Sequence, residues 1–139
     1  MLVVTHGNLA RELVASARTI VAEDVALEAL SIAWNDDPDG AAENIREGIE
    51  SVDRGRGVLV LTDMFGGTPT NLCLALLEPG RVEIVTGANL PMVIKFANLD
   101  KSAELAEAAA SVARQGRESV QVASELLGDQ SGDAAEDNP

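Results

Sequence analysis

The run Val58-Leu59-Val60-Leu61-Thr62 carries no polar residue until its last position. Successive side chains of a strand point to opposite faces, so a run without alternation has no face left for water. Such a strand needs an apolar layer above and below it. Crossover connections through helices supply both layers, whereas hairpins leave one face open. The run therefore predicts a central parallel strand, and the rest of the chain has to provide its neighbours and covering helices.

The remaining patterns do so in alternation. Met1-Leu2-Val3-Val4 reads as a first strand, and Leu9, Leu13, Ala17 and Ile20 recur at helical spacing. They predict a helix over 8–22, capped by Asn8 or by backbone near Gly7. Residues 27–32 read as a second strand closed by Trp34, expected to pack at the rim. After a polar loop, Ala41, Ile45, Ile49 and Val52 mark a second helix, stopped by Arg54-Gly55-Arg56-Gly57. Beyond the central run, Thr68 is expected as N-cap and Pro69 as first residue of a helix carrying Leu72, Leu76 and Leu77 up to Pro79-Gly80. Residues 82–86 form a fourth strand, and Pro91 opens a helix to about residue 97. An alanine-rich helix is expected over 101–115, ended by Gly116, with Val120-Gln121-Val122 as a short last strand. The fold class is thus α/β: a doubly wound, mainly parallel sheet with helices on both faces. Residues 1–127 read as one folded domain. Residues 128–139, with four acids and no base, read as an acidic disordered tail.

Composition narrows the function classes. A net charge of −13 argues against nucleic acid, whose binding depends on Lys and Arg neutralising phosphates, and suits a basic protein partner. The single cysteine, Cys73, excludes an internal disulfide and lies in an apolar pattern as a small buried hydrophobe. No apolar run approaches the ~20 residues that span a bilayer, so no direct membrane insertion is expected and the compartment reads as cytoplasm.

Three strand-to-helix junctions carry unusual residues: Thr5-His6-Gly7, Asp63 to Asn71, and Gly87 to Met92. In open α/β sheets, ligands bind outside the carboxyl ends of the strands. His6 is the only histidine of the chain. If the first and third strands are neighbours, Asp63 and His6 take equivalent positions at a strand spacing of about 5 Å. A carboxylate there can accept a hydrogen bond from one imidazole nitrogen and leave the other with a free lone pair. Gly66 and Gly67 let backbone approach whatever the histidine holds, and the following helix offers free amides. The combination describes an imidazole able to carry a phosphoryl group, with Thr5, Gly7, Gly66, Gly67 and Thr68 around it. No Lys or Arg lies in the three loops, and no metal-ligand cluster is evident. Neither metal nor cofactor is expected, and the positive charge for transfer has to come from a partner.

Thr5-His6-Gly7, Asp63-Met64-Phe65-Gly66-Gly67-Thr68-Pro69-Thr70-Asn71 and Gly87-Ala88-Asn89-Leu90-Pro91-Met92 resemble the mannose-family enzyme IIA domain of the bacterial phosphoenolpyruvate-dependent sugar phosphotransferase system. The resemblance runs from residue 1 to about residue 127 and includes Gly116-Arg117-Glu118-Ser119-Val120. It implies that His6 is phosphorylated by the histidine-containing phosphocarrier protein and passes the group to an enzyme IIB component, with Asp63 orienting the ring. It also implies a homodimer that exchanges its last strand, here Val120-Gln121-Val122. The chain departs from the family pattern in a first strand that begins a few residues late, in an acidic tail where a linker to an IIB domain would stand, and in Thr68 where some members have serine. The tail suits a free-standing component. Three other readings share the fold class: a receiver domain phosphorylated on Asp63, an FMN-binding module, and the phosphotransfer subunit of dihydroxyacetone kinase. The receiver needs a pair of acids after the first strand, where this chain has Thr5-His6-Gly7. The flavin module wants aromatic rings, and this chain has no Tyr and one Trp. The Asp63-x-Phe65-Gly66-Gly67 pattern favours the sugar system over the kinase subunit.

Overall fold

A computed structural model describes residues 1–22 and 24–132. In chain order the elements are β1 (Leu2–His6), α1 (Leu9–Arg18), β2 (Glu28–Ile32), α2 (Pro38–Val52), β3 (Val58–Thr62), α3 (Thr68–Leu74), β4 (Val82–Thr86), α4 (Leu90–Ala97), α5 (Leu105–Glu118) and α6 (Ala123–Gly132). The four strands form one parallel sheet in the order β2-β1-β3-β4. The strands alternate their side chains between two cores. Val3, Leu59 and Leu61 face α1, α4 and α5 through Ala10, Val14, Met92, Val93 and Val112. Leu2, Val4, Val58 and Val60 face α2 and α3 through Ile45, Ile49 and Cys73. The doubly wound α/β architecture expected from the Val58–Thr62 run is the one observed.

The strand order places a topological switch between β1 and β3. From β1 the chain crosses to β2 on one side, and from β3 to β4 on the other. The loops leaving β1 and β3 therefore part at the carboxyl edge of the sheet, which opens the crevice where α/β folds hold ligands.

Several boundaries differ from the sequence expectation, each for a local reason. α1 ends at Arg18, short of residue 22, and closes with Ile20 and Val21 amides both bonded to the Ala17 carbonyl. α3 stops at Leu74, because the Leu76 and Leu77 amides bond three residues back and tighten the chain into a turn. α5 starts at Leu105 rather than Lys101. The Asp100 carboxylate accepts from the Ser102 amide and hydroxyl, each at 2.8 Å, and holds residues 100–103 in a turn.

Gly116 lies inside α5 instead of ending it. A Cβ there would come within 2.5 Å of the Met92 sulfur, so the glycine is a contact surface for α4. Asn89 completes that junction: its Oδ1 accepts from the Met92 amide at 3.1 Å and its Nδ2 donates to the Gly116 carbonyl at 3.2 Å. The third motif loop and the Gly116 segment thus form one structural clamp.

The expected last strand is absent from the described residues. Val120-Gln121-Val122 is irregular, with Val120 78% and Val122 55% exposed. α6 follows and crosses the expected domain boundary at residue 127. The remainder of the expected tail, 133–139, lies outside the described residues.

Gly57 leads into β3 with φ +84°, and a Cβ there would lie 2.9 Å from the Leu105 side chain and 3.0 Å from the Gly80 and Arg81 carbonyl oxygens. Left-handed backbone and a blocked Cβ act together, so Gly57→Ala is expected to lower unfolding free energy by about 2–4 kcal/mol. Chemical denaturation measures it, and an unchanged midpoint would contradict this account of the β3 entry.

Candidate active site

His6 is the last residue of β1, and Asp63 directly follows β3. The pairing Val4↔Thr62 puts Asp63 level with Thr5, so His6 stands one residue further along than the equivalent position expected for it. This offset lets one carboxylate reach both the backbone and the ring of His6. Asp63 Oδ2 accepts from the His6 amide at 3.0 Å and lies 2.7 Å from His6 Nδ1. Asp63 Oδ1 accepts from the Met64 amide at 3.0 Å.

An ionised carboxylate only accepts, so the 2.7 Å contact requires the proton on Nδ1. In the neutral ring Nε2 then keeps its lone pair. Burial alone pushes the Asp63 carboxyl up. The hydrogen bonds from the His6 ring and amide, the electrostatic attraction of His6 and the Met64 amide outweigh it and hold the carboxyl below its ordinary range. Asp63 therefore stays an acceptor through neutral pH, and the tautomer is set.

Gly67 closes one side of the ring. A Cβ at this position would sit 2.7 Å from His6 Cε1 and 3.2 Å from Nε2, so only hydrogen leaves room for the imidazole. Gly66, at φ +86°, makes the turn that brings Gly67 there. Thr68 is the first residue of α3 and exposed, with Gly67 rather than Thr68 as N-cap and no side chain capping the first turn. Thr68 follows in the chain directly after the glycine that lies against the His6 ring.

The other two expected residues are committed elsewhere. Thr5 is fully buried; its hydroxyl accepts from the Ala10 amide at 2.7 Å and donates to the His6 carbonyl at 3.1 Å. Thr5 is therefore the side-chain cap of α1, the role expected of Asn8, which makes no side-chain cap bond. The Gly7 amide donates to the Ile32 carbonyl of β2 at 3.1 Å. Both residues fix the His6 backbone from beneath. Sequence reading missed Thr62 and Thr70, whose buried hydroxyls meet at 2.7 Å behind the Asp63 loop. Two hydroxyl residues bracketing an Asp-x-x-Gly-Gly turn were the available signal.

The His6 side chain is 48% exposed and that of Asp63 13%. Around them Leu9, Met64 and Phe65 are exposed, and Trp34 is wholly solvated rather than packed at the rim. A turn closed by the Asp36 carboxylate on the Ala33 amide throws Trp34 outward. A cleft of about 470 Å³ lies at the opposite, amino edge of the sheet, between residues that include Arg56, Arg81 and Leu105. His6 occupies an open ledge, suited to another macromolecule more than to an enclosed small molecule. Cys73 is buried among apolar neighbours, which pushes its thiol up to about 12 and leaves it inert as a nucleophile.

The family model described as EIIA-man, PTS system fructose IIA component, matches residues 1–113. The fructose-specific EIIA component of the phosphotransferase system of Bacillus subtilis (strain 168) is 27% identical over 123 residues, covering 88% of this chain and 84% of that one. The mannose-specific EIIAB component of Escherichia coli (strain K12) is 25% identical over 118 residues, covering 84% of this chain but 36% of that protein. The chain thus spans about a third of that longer relative. Among solved structures, the mannose/sorbose specific IIA subunit from Enterococcus faecalis superposes with TM-score 0.77 at 28% identity, covering 87% of this chain and 91% of that one.

Proposed function

The chain belongs to the EIIA-man family of phosphotransferase-system IIA components, and from that premise we propose that His6 Nε2 is its phosphoryl carrier atom. The group arrives from the histidine-containing phosphocarrier protein and leaves to an enzyme IIB component, in the service of sugar uptake. The observation that carries this reading is the 2.7 Å contact of His6 Nδ1 with Asp63, which in the neutral ring leaves the Nε2 lone pair free on an open ledge.

The Nε2 lone pair forms the new N–P bond as the bond from phosphorus to the donor breaks. The ring, still protonated at Nδ1, acquires positive charge, and the Asp63 carboxylate stabilises it. Return transfer reverses both changes. The transition state is loose, with charge spread over three equatorial oxygens. In this proposal the amides of the Gly66–Thr68 turn and the Thr68 hydroxyl receive them, while Thr5 and Gly7 act through the backbone of His6. The incoming partner contributes the cation.

The same ledge defines the partner. Leu9, Trp34, Met64 and Phe65 offer exposed apolar surface, with Glu12 on α1, Asp36 and Asp37 in the loop after β2 and Asp39 on α2. A basic protein with an apolar centre fits. Its association is expected to weaken as ionic strength rises above about 0.1 M, where screening reaches about 10 Å. Titration calorimetry across a salt series reads this directly, and salt-independent affinity would contradict it.

β4 is an edge strand with one neighbour, and exposed Val120 and Val122 follow α5 beside it. A homodimer in which a second copy covers this edge fits the arrangement; sedimentation measures the mass. A receiver-type reading finds no support at Asp63, because donors from His6 and Met64 occupy both of its oxygens. Incubation with phosphoenolpyruvate, enzyme I and the phosphocarrier protein tests the main reading. Acid-labile, base-stable label is expected; hydroxylamine-sensitive label would indicate an acyl phosphate on aspartate.

A further inference from the structure

Two hydroxyls behind the ledge form a one-way chain. Thr62 ends β3 and Thr70 stands in the first turn of α3; both are fully buried. Their Oγ1 atoms are 2.7 Å apart, and Thr70 Oγ1 lies 2.6 Å from the Met64 carbonyl oxygen. A carbonyl only accepts, and each threonine hydroxyl has one proton. Thr70 must therefore donate to Met64, which leaves Thr62 as the donor to Thr70.

The end of this chain is the residue that holds the carboxylate. The Met64 amide donates to Asp63 Oδ1, so both backbone polar groups of Met64 are tied, one to Asp63 and one to Thr70. With Oδ1 held, Oδ2 is turned onto the amide and ring of His6. Gly66 and Gly67 continue from the same anchored peptide, so the closeness of Gly67 to His6 depends on it as well. Filling the space between β3 and α3 does not require this arrangement. A valine has the shape of threonine, and buried hydroxyls are costly unless paired.

We propose that Thr70, with Thr62 behind it, is a positioning residue for phosphoryl transfer. Its hydroxyl sets the angle at which Asp63 grips the imidazole and keeps Gly67 against the ring. This rests on His6 as the phosphoryl acceptor, so the test has one arm that needs no phosphorylation.

Ring ¹⁵N shifts of His6 report the tautomer in the free protein, and transfer from phosphorylated phosphocarrier protein reports the rate. Thr70→Val is expected to mix the two neutral tautomers and to slow transfer about 10–100-fold, as a misplaced group does. Thr70→Ser restores both, and Thr62→Val gives a smaller change in the same direction. A folded Thr70→Val protein with the wild-type tautomer and rate would overturn the proposal, as would a serine variant that restores neither. If Thr70→Val does not fold, Thr62→Val decides: unchanged tautomer and rate there would overturn it. Failure of the wild type to label at His6 would refute the carrier reading, while the tautomer comparison would still judge the hydroxyl chain.

Discussion

Asp63→Ala is expected to slow phosphorylation of His6 about 10²–10⁴-fold while the protein stays folded, the range typical of removing a group that orients an acid–base partner. The carboxylate accepts hydrogen bonds from His6 Nδ1 at 2.7 Å and from the His6 amide at 3.0 Å, so its loss frees both the tautomer and the backbone that carries the ring. Asp63→Asn would keep the shape, but its carboxamide can turn an N–H toward Nδ1 and select the wrong tautomer. It is expected to be nearly as slow. The two variants also differ from wild type in pH dependence. Hydrogen bonding holds the Asp63 carboxyl below its ordinary value against the opposing effect of burial. The stability it contributes is therefore complete above the unfolded-state value of about 3.9 and is lost as pH falls through the lower folded-state value. Denaturation at neutral pH and in acid should show the wild-type advantage over Asp63→Asn shrinking below that point. An advantage that grew in acid would contradict the assignment.

Gly67→Ala is expected to cost transfer far more than stability. Its φ of −83° suits any residue, so alanine there meets no backbone strain. The less flexible unfolded chain contributes about 0.4–1 kcal/mol, which offsets loss of the His6–Asp63 contact. The added methyl, however, falls 2.7 Å from His6 Cε1 and 3.2 Å from Nε2. The ring has to rotate, which breaks its alignment with Asp63 and covers Nε2, the proposed carrier atom. Misplacement of this kind lowers rates by about 10²-fold. Gly66 is the contrasting control. Its φ of +86° makes alanine strained, but a Cβ there meets nothing within 4 Å. Gly66→Ala should therefore lose stability by about 1–2 kcal/mol and act on the site only through the turn. Thermal melts and single-turnover transfer on both variants separate the effects; equal rate losses with equal melting shifts would contradict this division.

How much of this was legible in the residues depended on distance along the chain. The Val58–Thr62 run required cover on two faces, and the alternation of strand and helix patterns met it; the observed sheet follows. The approach of Asp63 to His6 was legible only given that the strands before them are neighbours. Its one-residue offset depended on register, which local patterns do not encode. Caps were read from the nearest polar residue, yet Thr5 reaches over Gly7 and Asn8 to the Ala10 amide because the strand end aims it there. Gly116 looked like a helix stop because the sulfur of Met92, which needs its missing side chain, is far off in sequence. Thr62 reads as the end of the apolar run and Thr70 as part of the Asp63 to Asn71 motif, since only the fold turns their hydroxyls toward one another. Trp34 was read as packing by its size, but the polar turn after it leaves it in solvent.

The central claim is that one atom, His6 Nε2, carries the phosphoryl group. ³¹P–¹⁵N correlation spectra of protein phosphorylated through phosphoenolpyruvate, enzyme I and the phosphocarrier protein, with His6→Ala as control, test it most directly. A single phosphohistidine bonded through Nε2 is expected, with no label on His6→Ala. Phosphorus on Nδ1, or label that survives the substitution, would contradict it.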